Sequence, residues 1–166
     1  MRIAVAVVVG MWLVVAARPA EACGWAFEDS EYGASTVQYS DSIWMEKRNE
    51  KAVSFDLERH PQYGLRAGLN GEVVFHTDGA RLGKHGRVIA TITGSKRNSK
   101  ITFGTRSYTI EIRGDPHNPK NAFPRWFVTV KRDNRVIIKT DHAFADCTGE
   151  VRARVMFYLA WRETGA

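Results

Sequence analysis

Polar and apolar residues alternate along most of the chain, the signature of half-buried strands. Val53, Phe55 and Leu57 alternate with Ser54, Asp56 and Glu58, and Val88, Ala90 and Ile92 share one face of a later segment. Tyr108, Ile110 and Ile112 alternate with Thr109, Glu111 and Arg113, and Trp126, Val128 and Val130 recur in the same way. Short apolar runs, Val73-Val74-Phe75, Ile101-Thr102-Phe103 and Val136-Ile137-Ile138, read as further strands. Turn chemistry separates them at Thr77-Asp78-Gly79, Gly94 to Ser99 and Arg132-Asp133-Asn134. Two prolines exclude regular structure from Asp115-Pro116-His117-Asn118-Pro119. Ser42 to Lys51 fits either a hairpin or a helical turn.

The longest alternation is the last. Val151, Ala153, Val155, Phe157, Leu159 and Trp161 line one face, and the opposite face is apolar in its middle. This predicts a long central strand from Val151 to Glu163, covered on both sides. No segment shows a helical 3.6-residue period. The expected fold is therefore all-β: a single antiparallel β-sandwich or barrel of about nine strands. With no repeat, low-complexity tract or linker, residues 23–166 form one domain.

The first 22 residues follow a different pattern. Arg2 precedes the apolar run Ile3 to Ala17, and Ala20-Glu21-Ala22 offers small residues before a cut. This is the pattern of a cleavable secretory signal, and the run is short for a membrane span of about 20 residues. Residues 1–22 are thus expected to be removed, leaving an extracytoplasmic protein: secreted, periplasmic or at the cell surface. Ala20 and Glu21 depart from the motif that precedes an acylated cysteine, so a lipid anchor on Cys23 is the less favoured reading. Cys23 and Cys147 are the only cysteines, and outside the cytosol they are expected to form one disulfide. No Asn-x-Ser/Thr sequon is present.

Charge changes the picture more than composition does. The first 22 residues hold two of the 24 basic and one of the 18 acidic side chains, so the remainder carries a net +5. Most of the excess falls in residues 79–113, where Arg81, Lys84, Arg87, Lys96, Arg97, Lys100, Arg106 and Arg113 face Glu111 alone. Such clusters suit anionic partners. Arg81, Lys84, Arg87, Lys96, Arg97, Lys100 and Arg106 are the candidate contacts, for an acidic glycan, an anionic lipid surface or an acidic protein partner. Without aromatic-interleaved RNA-binding motifs, nucleic acid is the least favoured. A meander places the Arg81–Arg87 and Lys96–Lys100 clusters at opposite ends of one hairpin, with Thr91 and Thr93 between them.

Catalytic motifs are weaker. Gly79 to Gly86 lacks the spacing and the Lys-Ser/Thr of a phosphate-binding loop and reads as a glycine-rich turn. His76, His117 and His142 stand near Asp78, Asp115 and Asp141, but no HExxH or other close histidine pair predicts a metal. No Gly-x-Ser-x-Gly elbow is present. No cofactor is expected. The leading expectation is a non-catalytic binding domain with a basic face. The alternatives are a secreted hydrolase with an acidic or histidine cleft, and a β-barrel carrier of an apolar ligand lined by Val151 to Trp161.

Overall fold

The computed structural model describes residues 24–38, 41–61, 64–118, 124–140, 144–145 and 150–166. The chain is a nearly all-β meander. The strands are β1 (Trp25–Asp29), β2 (Ala34–Gln38), β3 (Ser42–Lys47), β4 (Val53–His60), β5 (Gly64–Leu69), β6 (Glu72–Thr77), β7 (Arg81–Lys84), β8 (Arg87–Gly94), β9 (Asn98–Phe103), β10 (Arg106–Gly114), β11 (Arg125–Arg132), β12 (Arg135–Lys139) and β13 (Phe144–Ala145). Each of the first twelve pairs antiparallel with the next, and β13 adds to β11. β1 and β12, the two ends of the path, lie against each other, so the sheet is nearly closed into a barrel.

Inward positions follow the period of two. Gln38 faces Ile43, which faces Phe55, and Ile110 lies between Ser99 and Val130. All of these are buried. A twelve-stranded wall encloses more space than its own side chains fill, since about eight strands is the width that side chains alone can pack.

Here the structure corrects the sequence reading. Val151–Glu163 is not a strand. Residues Val151–Thr164 form the helix α1, and it fills the barrel. Phe27 of β1 meets Tyr158 edge-on at 5.0 Å, Phe75 of β6 stacks on Phe157 at 6.3 Å, and Tyr32 meets Trp161 at 5.9 Å. Wall residues from both sides of the path thus converge on one helix. Every residue from Ala153 to Arg162 is buried. A helix enclosed all round needs no polar stripe, so its 3.6-residue period is lost. The apparent alternation arises because both sets of positions are apolar. Helix propensity carries the missing signal: Ala, Arg, Met and Leu dominate, and only Val151, Val155 and Thr164 are β-branched. Gly165, at φ 72°, ends the helix, and its N–H donates to the Trp161 carbonyl at 2.7 Å.

The strand number is also larger than about nine. β1 to β3 were not resolved as separate strands, β5 alternates only through Leu65 and Ala67 before Gly68 interrupts it, and β7 is four residues long with Gly83 inside it. The Gly79–Gly86 stretch is not one turn but two turns flanking β7. Ser42–Lys51 resolves as β3 and the start of a turn.

The two rims of the barrel differ. At the helix C-terminal end, two-residue turns close the hairpins. Asn70-Gly71, His85-Gly86 and Asp133-Asn134 all have positive φ at both central positions, the tight hairpin form whose twist matches the strands. At the helix N-terminal end lie the end of β10, the start of β11 and the end of β12.

Candidate functional site: a cavity at the helix N-terminal rim

The tight rim holds the helix in place. Asp29, only 1 % exposed, takes the N–H groups of Glu31 and Tyr32 on Oδ1. Its Oδ2 accepts the Tyr158 hydroxyl at 2.9 Å and lies 3.3 Å from Arg162 Nε. Arg162 also reaches Glu31 at 2.6 Å, and Glu31 is bridged to Arg132 at 2.8 Å. Glu163 accepts from the Tyr108 hydroxyl and from Arg106 at 3.0 Å. Lys84 Nζ donates to the carbonyls of Thr164, Gly165 and Ala166 at 3.0, 3.0 and 3.2 Å, where the helix dipole is negative. Burial holds the Lys84 ammonium below its usual pKa. The Tyr108 phenol is pushed up to about 12, by burial first and then by its bond to Glu163.

The opposite rim carries a cavity of about 330 Å³. Leu65, Ile112, Val151 and Ala153 supply apolar wall, and Lys96, Arg97 and Arg152 supply cations. The lining comes from the start of β5, the β6–β7 and β8–β9 turns, β10, the second residue of β11 and the first turn of α1. The Arg97 guanidinium lies over the Trp126 ring, 5.3 Å from its centroid. Arg152 lies at the 3.5 Å limit from the carbonyls of Ser95 and Gly79, and burial lowers its pKa despite the opposing charge of Glu150. The acids at the cavity are engaged elsewhere. Asp78 accepts the N–H groups of Ala80 and Arg81 and the Arg81 guanidinium at 2.9 Å, and Glu150 lies 4.0 Å from Arg59. Burial alone raises the Asp78 pKa, but the hydrogen bonds from Ala80 and Arg81 outweigh it and hold the group below the ordinary range.

The seven sequence-derived cations therefore divide. Lys96 and Arg97 line the cavity, and Arg81 stands beside it through Asp78. Lys100 stands exposed on β9, opposite Thr93 and Thr109. Lys84 and Arg106 are bonded to the helix at the far rim, and Arg87 is exposed there. The eight-residue β8 separates the two groups by roughly 25 Å. Cys23, Cys147, Asp141 and His142 lie outside the described residues. Arg152 and Trp126 were missed as site residues: reading 151–163 as a strand hid the rim position of Arg152, and Trp126 read as an ordinary member of a strand face.

His76 and Asp78 do not form a metal site with each other. The imidazole covers Gly83, and burial followed by the Arg66 charge lowers its pKa, against the pull of Asp78. His117 sits in a turn, its backbone N–H donating to Asp115 Oδ1 at 2.9 Å. Among the described residues no three of His, Cys, Asp and Glu gather in a metal-binding arrangement, and no helix is long and apolar enough to cross a membrane. Fold and site together define a nearly closed β-barrel, filled by a helix, with a basic cavity at one rim. No family model matches this chain, and no curated protein or solved structure matches it either.

Proposed function

We propose that the protein is a non-catalytic binding domain, working outside the cytosol, that presents its helix N-terminal rim to an anionic partner. The observation that carries this reading is the convergence of Lys96, Arg97 and Arg152 on one cavity whose acids, Asp78 and Glu150, already face Arg81 and Arg59. The first turn of α1 adds no acidic residue. The positive end of the helix dipole therefore reinforces the same field. Arg81 and Lys100 extend the basic surface outward from the cavity. An acidic glycan and an anionic lipid surface both fit this chemistry.

Each exposed contact is weak and is screened over about 8 Å at physiological ionic strength, so affinity arises from several charges together. The test is retention of the purified protein on dextran sulfate and on phosphatidylglycerol vesicles. Retention is expected at low salt and lost at high salt. Reversal of Lys96, Arg97 and Lys100 to Glu is expected to abolish it while the thermal melt stays cooperative. Retention that survives both the reversal and high salt overturns the reading, as does the absence of retention at low salt.

A further inference from the structure

We propose that the rim cavity takes one molecule with an anionic head group on an apolar body, of the kind represented by a medium-chain carboxylate. This rests on the basic-rim reading and narrows it. A polyanion satisfies the cations but leaves the rest of the cavity without a role. At about 330 Å³ the cavity lies at the small end of ligand sites, which run from roughly 300 to 1,000 Å³, so it suits one small molecule. Leu65, Ile112, Val151 and Ala153 give it a largely apolar wall, and the cations stand with Trp126 on the same lining.

An unsatisfied polar atom on a lining residue points the same way. Trp126 lines the cavity with its ring under Arg97, yet its indole Nε1 is buried with no hydrogen-bond partner. An indole N–H is a donor only, so what it lacks is an acceptor. Buried polar groups are rarely left so. A carboxylate supplies the acceptor for Trp126 Nε1 and the charge for Arg97 and Arg152, while its chain covers the apolar wall. No bond is made or broken.

The measurement is isothermal titration of the full folded domain with decanoate, decanol and acetate, beside the dextran sulfate and vesicle assays. Decanoate is expected to bind at one molecule per chain, at least about tenfold more tightly than either decanol or acetate. Trp126→Phe keeps the ring under Arg97 but removes the donor, and is expected to weaken decanoate about fivefold. Ala153→Leu fills the cavity and is expected to abolish decanoate binding while dextran sulfate is still retained. If Ala153→Leu fails to fold, Trp126→Phe alone decides. Decanoate that binds no better than acetate or decanol, with salt-sensitive dextran sulfate retention intact, overturns this inference and leaves the basic-rim reading standing. Vesicle binding without uptake of free decanoate likewise overturns it in favour of a membrane surface. Decanoate binding that neither variant alters places the molecule elsewhere and overturns it too. Loss of every anionic probe removes both readings.

Discussion

Gly83 sits inside a strand, a position where the lack of a side chain normally weakens the sheet. The reason is the imidazole of His76 across the ladder. A Cβ on Gly83 would stand 2.1 Å from His76 Cε1, a distance that real atoms do not adopt. Gly83→Ala is therefore expected to destabilise the fold by about 1–3 kcal/mol, as overpacking does. Combining it with His76→Ala is expected to recover much of that loss, because the two sites share one volume. Urea midpoints of the two single variants and the double variant check the coupling. Asp29 poses the opposite problem, a buried charge rather than a missing atom. Arg162, 8 % exposed, and the Tyr158 hydroxyl both depend on it. Asp29→Ala is expected to cost about 3 kcal/mol, the scale of stranding one partner of a buried pair. A midpoint shift corresponding to less than about 1 kcal/mol would show that Glu31 alone satisfies Arg162.

At the scale of elements, the helix is held by chemistry at its C-terminal end, and that chemistry titrates. Burial by itself raises the Glu31 pKa. The hydrogen bond and charge of Arg162, with the charges of Arg132 and Arg135, outweigh burial and hold the carboxyl below its ordinary 4.5. A carboxyl depressed in the folded state contributes stability that is present above its unfolded pKa. That stability is lost as pH falls below about 4.5, through the folded value. Urea midpoints are thus expected to drop as pH is lowered from 6 to 3, and Glu31→Gln is expected to flatten that drop while lowering the neutral-pH midpoint. A Glu31→Gln variant with an unchanged acid slope would assign the acid sensitivity to other carboxyls.

Most strands from Val53 onward were legible where one face is buried and the other solvated, which is what alternation reports; β5, β7 and β13 were not. The same rule failed on α1 for a physical reason. It is buried on every side, so no solvated stripe distinguishes helix from strand, and only propensity and the closing Gly165 remained as signals. Circular dichroism of the intact protein is expected to show a small helical component that Val155→Pro removes, since proline in a helix interior costs about 3 kcal/mol or more.

For the whole molecule, legibility followed sequence distance. The net charge of residues 79–113 was readable, and its division between the two ends of a hairpin was readable only in part: Lys84 and Arg87 stand at the far end, but β7 carries Arg81 to the Lys96–Arg97 end. Arg152 was not readable, because it arrives at the Lys96–Arg97 turn from more than fifty positions away, carried by an element whose type was misassigned. The cavity exists only when α1 is seated, since Val151, Arg152 and Ala153 form one side of it. Binding and global stability are thereby linked. Any ligand of this cavity recognises the seated helix and is expected to raise the melting temperature in proportion to the logarithm of its concentration.

The position of α1 also orders events in time. The wall is drawn from the chain before it, yet the wall's interior is completed by the segment that follows every strand. A fourteen-residue helix has little stability alone in water, and a twelve-stranded wall without its filling leaves apolar faces wet. Neither part is a resting place for the chain. The contact between β1 and β12, which the sheet leaves without a continuous ladder, is the natural seam through which the wall wraps the helix instead of admitting it end-on. Acquisition of the native state is then a late, all-or-none event: a chain ending at residue 149 remains a substrate for proteases, whereas the chain through residue 166 becomes resistant in a single step.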